Sequence, residues 1–255
     1  MLKITFLGTS TSQGVPVIAC PCEVCHSADE HDKRLRTSAL IEVNGKNILI
    51  DAGPDFRQQL LRENIINLNA ILITHEHKDH IGGLDDVRAI NYVTCKPIDI
   101  YAEERVLNAI KSDFAYAFAE VRYPGVPEMN LHVITNNPFI AAGIEIVPIR
   151  AMHMRLPVFG YRIGNLSYIT DANYISDVEI EKMKGSQVLV INALRHEPHL
   201  SHYTLSEALE VATKINAKQT YITHISHQMG LYAEQEAILP TNIHFAYDGL
   251  KIEID

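Results

Sequence analysis

The stretch Thr74–Gly83, THEHKDHIGG, sets His75, His77, Asp79 and His80 within six residues. Imidazole and carboxylate together suit Zn²⁺, Mn²⁺ or Fe²⁺. Four such groups this close are too crowded for one tetrahedral ion that keeps a position open. They suit two ions, with His75 and His77 on one and Asp79 and His80 on the other. Two ions about 3.5–4 Å apart would share a hydroxide at neutral pH and polarise the oxygen of an ester, which is hydrolytic chemistry. An apolar run, AILIT (Ala70–Thr74), leads into the cluster and two glycines follow it. A buried strand therefore delivers these groups, rather than a polar surface turn. In an extended chain residues 75, 77 and 79 point one way, and His80 turns in as a helix begins.

The elements that position this cluster follow from periodicity and turn chemistry. Leu2–Leu7 reads as a strand. Ser38–Val43 and Asn47–Asp51 flank Asn44-Gly45, a hairpin signal because both turn positions favour positive φ. Helices are predicted at Asp55–Asn64, Gly83–Val93, Glu103–Ala119, Asp177–Lys184, Ser206–Lys214 and Tyr232–Ile238. Strands are predicted at Ile98–Ala102, Leu131–Ile134, Ile144–Arg150, Phe159–Ile163, Leu166–Thr170, Gln187–Asn192 and Thr220–Thr223, with Ile243–Ile254 as a terminal strand pair. Tyr123–Pro127, YPGVP, is a loop. Both halves mix strand pairs with alternating strands and helices, as in sheets covered by helices. A single domain over residues 1–255 is expected.

Composition narrows the function classes. The 255 residues are 47% hydrophobic and 21% charged, ordinary for a soluble globular chain. The net charge of −9, from 22 basic and 31 acidic residues, argues against nucleic acid as an obligate partner. No apolar run approaches the ~18 residues of a membrane span, and the N-terminal run before Gly8 is too short for a signal-peptide core. A cytoplasmic protein without a membrane partner is expected. Of the thirteen histidines, most cluster at 75, 77 and 80, at 196, 199 and 202, and at 224 and 227. Of four cysteines, Cys20, Cys22 and Cys25 fall together and Cys95 stands apart. In a reducing compartment such a cluster binds metal more often than it forms disulfides.

HxHxDH followed by Gly-Gly resembles the signature of the metallo-β-lactamase-fold hydrolases. Asp51 in ILIDAG, His153 in AMHM, Asp171 in YITDAN and His224 in YITHIS fall where that family expects its remaining site residues. The resemblance covers nearly the whole chain. It implies an α/β fold, a four-layer αββα sandwich of two mixed sheets flanked by helices. It also implies two divalent ions in the active site, Zn²⁺ or Mn²⁺. His75, His77 and His153 would hold one ion, Asp79, His80 and His224 the other, with Asp171 bridging. Asp51 would steady the ligand loop from behind.

Three features point within that family. FLGTSTSQGVP (Phe6–Pro16) resembles the opening of its phosphodiesterase branch, which includes the tRNA 3′-processing endonucleases; Thr9 and Ser10 would then face a phosphate. RHEPHLSHYTLSEAL (Arg195–Leu209) contains HxTxxEAL, which resembles that branch's extra catalytic histidine and falls on His202. Thr204 or Leu205 is close to the helix start there, with Glu207 where a capping-box partner would sit. His202 would donate a proton to the leaving alkoxide or stabilise transition-state charge, and is counted with Asp79 as catalytic. ACPCEVC (Ala19–Cys25) offers three thiolates to a structural zinc, which needs a fourth ligand. Cys95 and His227 are the candidates. His227 is preferred, because this loop after GVP and a histidine three residues past the last active-site histidine resemble the phosphoribosyl 1,2-cyclic phosphodiesterases of bacterial phosphonate degradation. YPGVP is similar to a middle loop of the same family. The long helical arm by which the tRNA endonucleases grip tRNA is not apparent.

The expected activity is therefore a two-metal phosphodiesterase on a small cyclic phosphodiester, with a metal-bound hydroxide as nucleophile and His202 assisting. The expected partner is a small molecule, with a homodimer as an allowed assembly. The alternatives are a thioester, lactone or β-lactam hydrolase on the same ions, or a metal-binding scaffold without catalysis. Redox work by the three cysteines is the rival to the structural zinc, but no Cys-x2-Cys sits at a thioredoxin-like strand–helix junction.

Overall fold

A computed structural model describes residues 1–255. The first half lays down β1 (Leu2–Gly8), β2 (Ser38–Val43), β3 (Lys46–Ile50), β4 (Ala70–Leu72), β5 (Ile98–Ala102) and β6 (Met129–Val133). The second adds β7 (Phe139–Ala141), β8 (Ile144–His153), β9 (Leu156–Ile163), β10 (Leu166–Tyr168), β11 (Tyr174–Ile175), β12 (Val188–Asn192), β13 (Gln219–Thr223), β14 (Ile243–Phe245) and β15 (Lys251–Ile254). One sheet runs β15-β1-β2-β3-β4-β5-β6 and the other β11-β8-β9-β10-β12-β13-β14, with β7 on β8.

Both sheets follow one plan. Three strands are antiparallel (β1–β2–β3 and β8–β9–β10), with short turns joining all but β1 and β2, between which the long segment 9–37 runs, and the next three join in parallel through longer crossovers. The tight turns use left-handed residues as the sequence requires: Asn44 at φ 50° and Gly45 at φ 73°, and Gly164 at φ 53°.

Strand sequences set the layers. In β12, Val188 and Val190 face the space between the sheets, while Leu189 and Ile191 face the outer helices. In β3, Ile48 and Ile50 face inward and Leu49 outward. Such strands are apolar without alternation because both faces are covered. Helices Phe56–Arg62, Val87–Thr94 and Glu104–Asp113 cover the first sheet, and Asp177–Met183 and Leu205–Ile215 the second. The result is the expected αββα sandwich of two mixed sheets.

Several local expectations need correction. Glu103–Ala119 is not one helix: it breaks at Phe114 (φ −114°, ψ 38°) and resumes over Ala115–Phe118. The bend lets Phe114 and Ala117 both enter the core. The helix predicted from Gly83 starts as a 3₁₀ turn, Leu84–Asp86, and becomes α-helical only at Val87. The last two strands do not pair with each other. β14 extends the second sheet beside β13, whereas β15 returns antiparallel to β1 in the first. The chain end thereby ties the two sheets together. β7 and β11 carry no sequence signal strong enough to have been expected.

Candidate metal centre

The site residues lie beyond the carboxyl ends of the strands, where open α/β sheets leave a crevice. His75 follows β4, Asp51 follows β3, Asp171 follows β10, His224 follows β13, and His153 ends β8. Asp51, Asp171 and His224 are left-handed, with φ of 61°, 52° and 56°. For residues with a Cβ this costs on the order of 1–3 kcal/mol each, sustained only by surrounding structure. It turns each chain abruptly off its strand, aiming Asp171 and His224 into the crevice and Asp51 at the loop behind it.

His77 ends the extended segment, and Asp79 and His80 ride on a helical turn, Lys78–Ile81. Asp79 is thus delivered by the helix and not by an alternating strand, a correction to the extended-chain expectation. Glycines permit the close fit. A Cβ on Gly53 would lie 2.0 Å from the Asp79 carbonyl oxygen, and one on Gly83 2.0 Å from that of Gly53. Gly53→Ala should therefore push the Asp79–His80 turn away from Asp51. Affinity for one active-site ion is expected to fall about 10–100-fold, the effect typical of displaced supporting groups, measured by metal titration.

Asp51 is fully buried and its carboxylate is spent on protein. It accepts from Thr74 N at 2.8 Å, Thr74 Oγ1 at 2.9 Å and His80 Nδ1 at 2.7 Å. The last contact fixes the tautomer of His80, so Nε2 faces the crevice with a lone pair. That Nε2 is buried without a hydrogen-bond partner, yet lies 3.3 Å from Asp79 Oδ2 and 3.1 Å from Asp171 Oδ2. A lone pair facing two carboxylates is unfavourable unless a cation lies among them. In the absence of a cation, burial pulls the His80 pKa down but Asp79, Asp51 and Asp171 together hold it well above the usual value, so a proton on Nε2 takes the place that a cation would fill. Burial also opposes ionisation of Asp171, and His224 and His80 override it.

Beside this, His75 Nε2 and His77 Nδ1 approach to 2.9 Å, and His75 Nδ1 lies 3.0 Å from Thr74 Oγ1. His153 Nδ1 donates to the Ser201 carbonyl at 2.8 Å, leaving its Nε2 for the crevice. His75, His77 and His153 form one group with converging ligand atoms; Asp171 converges with His75 and His80, and also with Asp79 and His224. His224 Nδ1 is 3.1 Å from Asp171 Oδ2. The donor set, the orphaned Nε2 and the central carboxylate all fit two divalent ions sharing Asp171.

His202 is buried against this group, its ring centroid 4.9 Å from that of His224 and 4.6 Å from that of His153. Its Nδ1 has no hydrogen-bond partner and lies 3.8 Å from Asp171 Oδ1. Burial, with the charge on His224 next, pushes its pKa down to about 3, so the ring is neutral near pH 7. A capping box holds it in place. Thr204 Oγ1 accepts from Glu207 N at 3.2 Å and the Glu207 carboxylate accepts from Thr204 N at 2.8 Å.

The loop expected to face phosphate is differently used. Thr9 and Ser10 are both fully buried. Thr9 Oγ1 donates to Asp248 at 2.9 Å and accepts from Arg34 at 2.9 Å, while Ser10 Oγ donates to the Ile225 carbonyl at 3.2 Å. The Thr9 hydroxyl thus ties the end of β1 to Arg34 and Asp248, and that of Ser10 ties it to the segment after His224, so neither has a proton left for a phosphate. The open wall instead joins two of the predicted ligands, His77 and His153, to four residues that carry no local signal. A cavity of about 490 Å³ is lined by His77, His153, Met154, Arg155, Leu156 and Ser201.

Cys20, Cys22, Cys25 and His227 form a separate group. His227 Nδ1 lies 3.4 Å from Cys20 Sγ and 3.3 Å from Cys22 Sγ, and Val17 N donates to Cys25 Sγ at 3.3 Å. His227 pulls the Cys22 thiol down to about 6, whereas burial pushes Cys25 up to about 11. Three crowded sulfurs cannot all ionise without a cation, which is the condition a zinc satisfies. Cys95, the other candidate, is exposed at a helix end with Sγ near the Tyr92 carbonyl.

Comparison with known proteins identifies the family and the fold. Residues 46–225 match the family model described as the Beta-lactamase superfamily domain. An octanoyltransferase of Porphyromonas gingivalis (strain ATCC BAA-308 / W83) is 44% identical over 257 residues, covering 100% of this chain and 52% of that protein. The chain thus spans about half the length of the curated relatives it matches, or less. A ribonuclease Z of Thermosynechococcus vestitus is 30% identical over 167 residues, 64% of this chain and 36% of that protein. Among solved structures, a diphosphatase from the PhnP family superposes with a TM-score of 0.93 at 40% identity, over 100% of this chain and 98% of that one. Zn²⁺-bound PqqB from Methylobacterium extorquens shares the fold, with a TM-score of 0.78 at 19% identity over 99% and 100%. By its fold and these likenesses, the chain belongs to the β-lactamase superfamily, with the metallo-β-lactamase fold.

Proposed function

We propose that residues 1–255 act as one phosphodiesterase domain on a small cyclic or activated phosphodiester, a phosphoribosyl 1,2-cyclic phosphate being the substrate to try first. The observation that carries this reading is His202. It stands as a neutral, orphaned imidazole against the carboxylate that two ions would share. When bound, two divalent ions supply a nucleophile at neutral pH and polarise the phosphoryl oxygen.

In this reading His75, His77 and His153 would hold one ion and Asp79, His80 and His224 the other, with Asp171 within reach of both groups. Either Zn²⁺ or Mn²⁺ satisfies this mixed imidazole–carboxylate set, and Zn²⁺ is assigned to Cys20, Cys22, Cys25 and His227. His202 donates an N–H to the charge that develops on the phosphoryl group, and Asp51 keeps His80 in its ligating tautomer. Likeness to the PhnP-family diphosphatase supports phosphoryl chemistry. The acyl-transfer name belongs to a protein nearly twice as long, of which this chain matches 52%.

Purified protein with Mn²⁺ or Zn²⁺ is expected to hydrolyse bis(p-nitrophenyl) phosphate, and a chelator to abolish the activity. A panel of cyclic phosphates, an octanoyl thioester and a lactone then separates the bond types. Turnover of the acyl substrates with none of the phosphodiesters would falsify this reading.

A further inference from the structure

Glu76 sits between two histidines whose rings converge, so its side chain leaves on the opposite side of the loop. There Arg105, in the first turn of helix Glu104–Asp113, donates to Glu76 Oε1 through Nη1. Through Nη2 the same guanidinium donates to the Pro157 carbonyl at 2.8 Å. Pro157 lies on β9 directly opposite Met152, and the next pair along is Leu156 with His153. One planar group thus holds the loop of His75 and His77 from the first half of the chain and the strand pair that carries His153 from the second.

The hold continues into the second sheet. Glu103 Oε2 lies 3.7 Å from Arg105 Nη2, and Glu103 takes both arms of Arg150 at 2.5 and 2.9 Å. Arg150 is on β8 and lies 3.8 Å above the Phe159 ring. Glu76 Oε2 is buried without a partner, so Arg105 alone answers that carboxylate. By contrast, His80 is steadied through Asp51 and Thr74, and Asp171 through Thr170, none of which touches Arg105.

We infer that Arg105 is a positioning residue that sets the span of the His75–His77–His153 group, and with it the affinity for one active-site ion and not the other. The inference rests on the reading that these three histidines share an ion. A guanidinium suits the task because its donors are fixed in one rigid fork, so the separation of its two acceptors is fixed as well. A lysine carries the charge but presents it as a point, and cannot hold Glu76 and Pro157 at a set distance.

The test is metal titration of the full chain with Mn²⁺ and Co²⁺, for wild type, Arg105→Ala, Arg105→Lys and Glu76→Gln, with thermal unfolding measured in parallel. Wild type should take two ions beyond the zinc of the cysteine cluster. In Arg105→Ala one of the two should weaken about 10–100-fold, as for other groups that orient ligands, with the second unchanged. Arg105→Lys should recover little, and Glu76→Gln, which keeps an acceptor for Arg105, should recover more. The Co²⁺ absorption of the weakened site should change while that of the other stays. Equal weakening of both ions, or loss of thermal stability with both affinities intact, overturns the inference, because either would mark Arg105 as a general brace. Wild type that takes no second active-site ion would instead remove the two-ion reading itself, and the inference with it.

Discussion

Replacing His202 with alanine is expected to lower kcat on bis(p-nitrophenyl) phosphate by about 10²–10⁴-fold while the protein keeps its full metal content. The direction follows from where the ring stands. It contacts the His153 and His224 rings and Asp171, but its Nδ1 is bonded to nothing. A group with no partner at rest that faces the reacting centre has its interaction to make in the transition state, which is what lowers kcat more than KM when it is lost. Its removal should not unfold the loop, because the capping box on Thr204 and the Tyr203 N–H donated to the Ala172 carbonyl at 2.8 Å stay in place. The competing outcome is specific. His153, Asp171 and His202 also converge closely enough to hold an ion. If His202→Ala loses one active-site ion along with activity, His202 is a ligand and the proposed role is wrong.

His224→Ala and His227→Ala should fail in different ways although the residues are three apart. His224 is buried against Asp171, so alanine there removes one active-site ion and nearly all turnover with the fold kept. His227 faces the sulfurs of Cys20 and Cys22. Alanine there should release the zinc and lower the unfolding temperature by about 5 °C or more, the size of a loss of about 2 kcal/mol in a chain of this length. The linker explains the separation. Ile225 N donates to the Thr9 carbonyl at 2.8 Å, and Ser226 donates to the Leu194 carbonyl through N at 3.0 Å and Oγ at 2.9 Å. Those bonds pin the two intervening residues and send the flanking rings to different sites. Metal content by mass spectrometry of the two variants, with thermal scans, decides it. Equal loss of active-site metal in both would refute the division.

The hairpin at Asn44-Gly45, the buried strand AILIT and the capping box at Thr204 were all legible because each rests on neighbours in the chain. Legibility failed where distant packing decides. The break at Phe114 depends on a core that the helix only meets when folded. Thr9 and Ser10 look like a phosphate-facing loop until Arg34, Asp248 and Ile225 claim their hydroxyls. Arg105, Met154 and Arg155 carry no motif at all.

By itself the sequence determined the chemistry of the donors, since His75, His77, Asp79 and His80 are bound together by the covalent chain, as are Cys20, Cys22 and Cys25. Tertiary structure alone decided which distant groups complete them. It brings His153, Asp171 and His224 to the first cluster and His227 to the second, across 207 residues from Cys20. It also decided the tautomer of His80 through Asp51, and the left-handed turns of Asp51, Asp171 and His224. The physical reason is that a ligand's identity is local, whereas its direction and its partner are set by strand ends that meet only when two sheets pack.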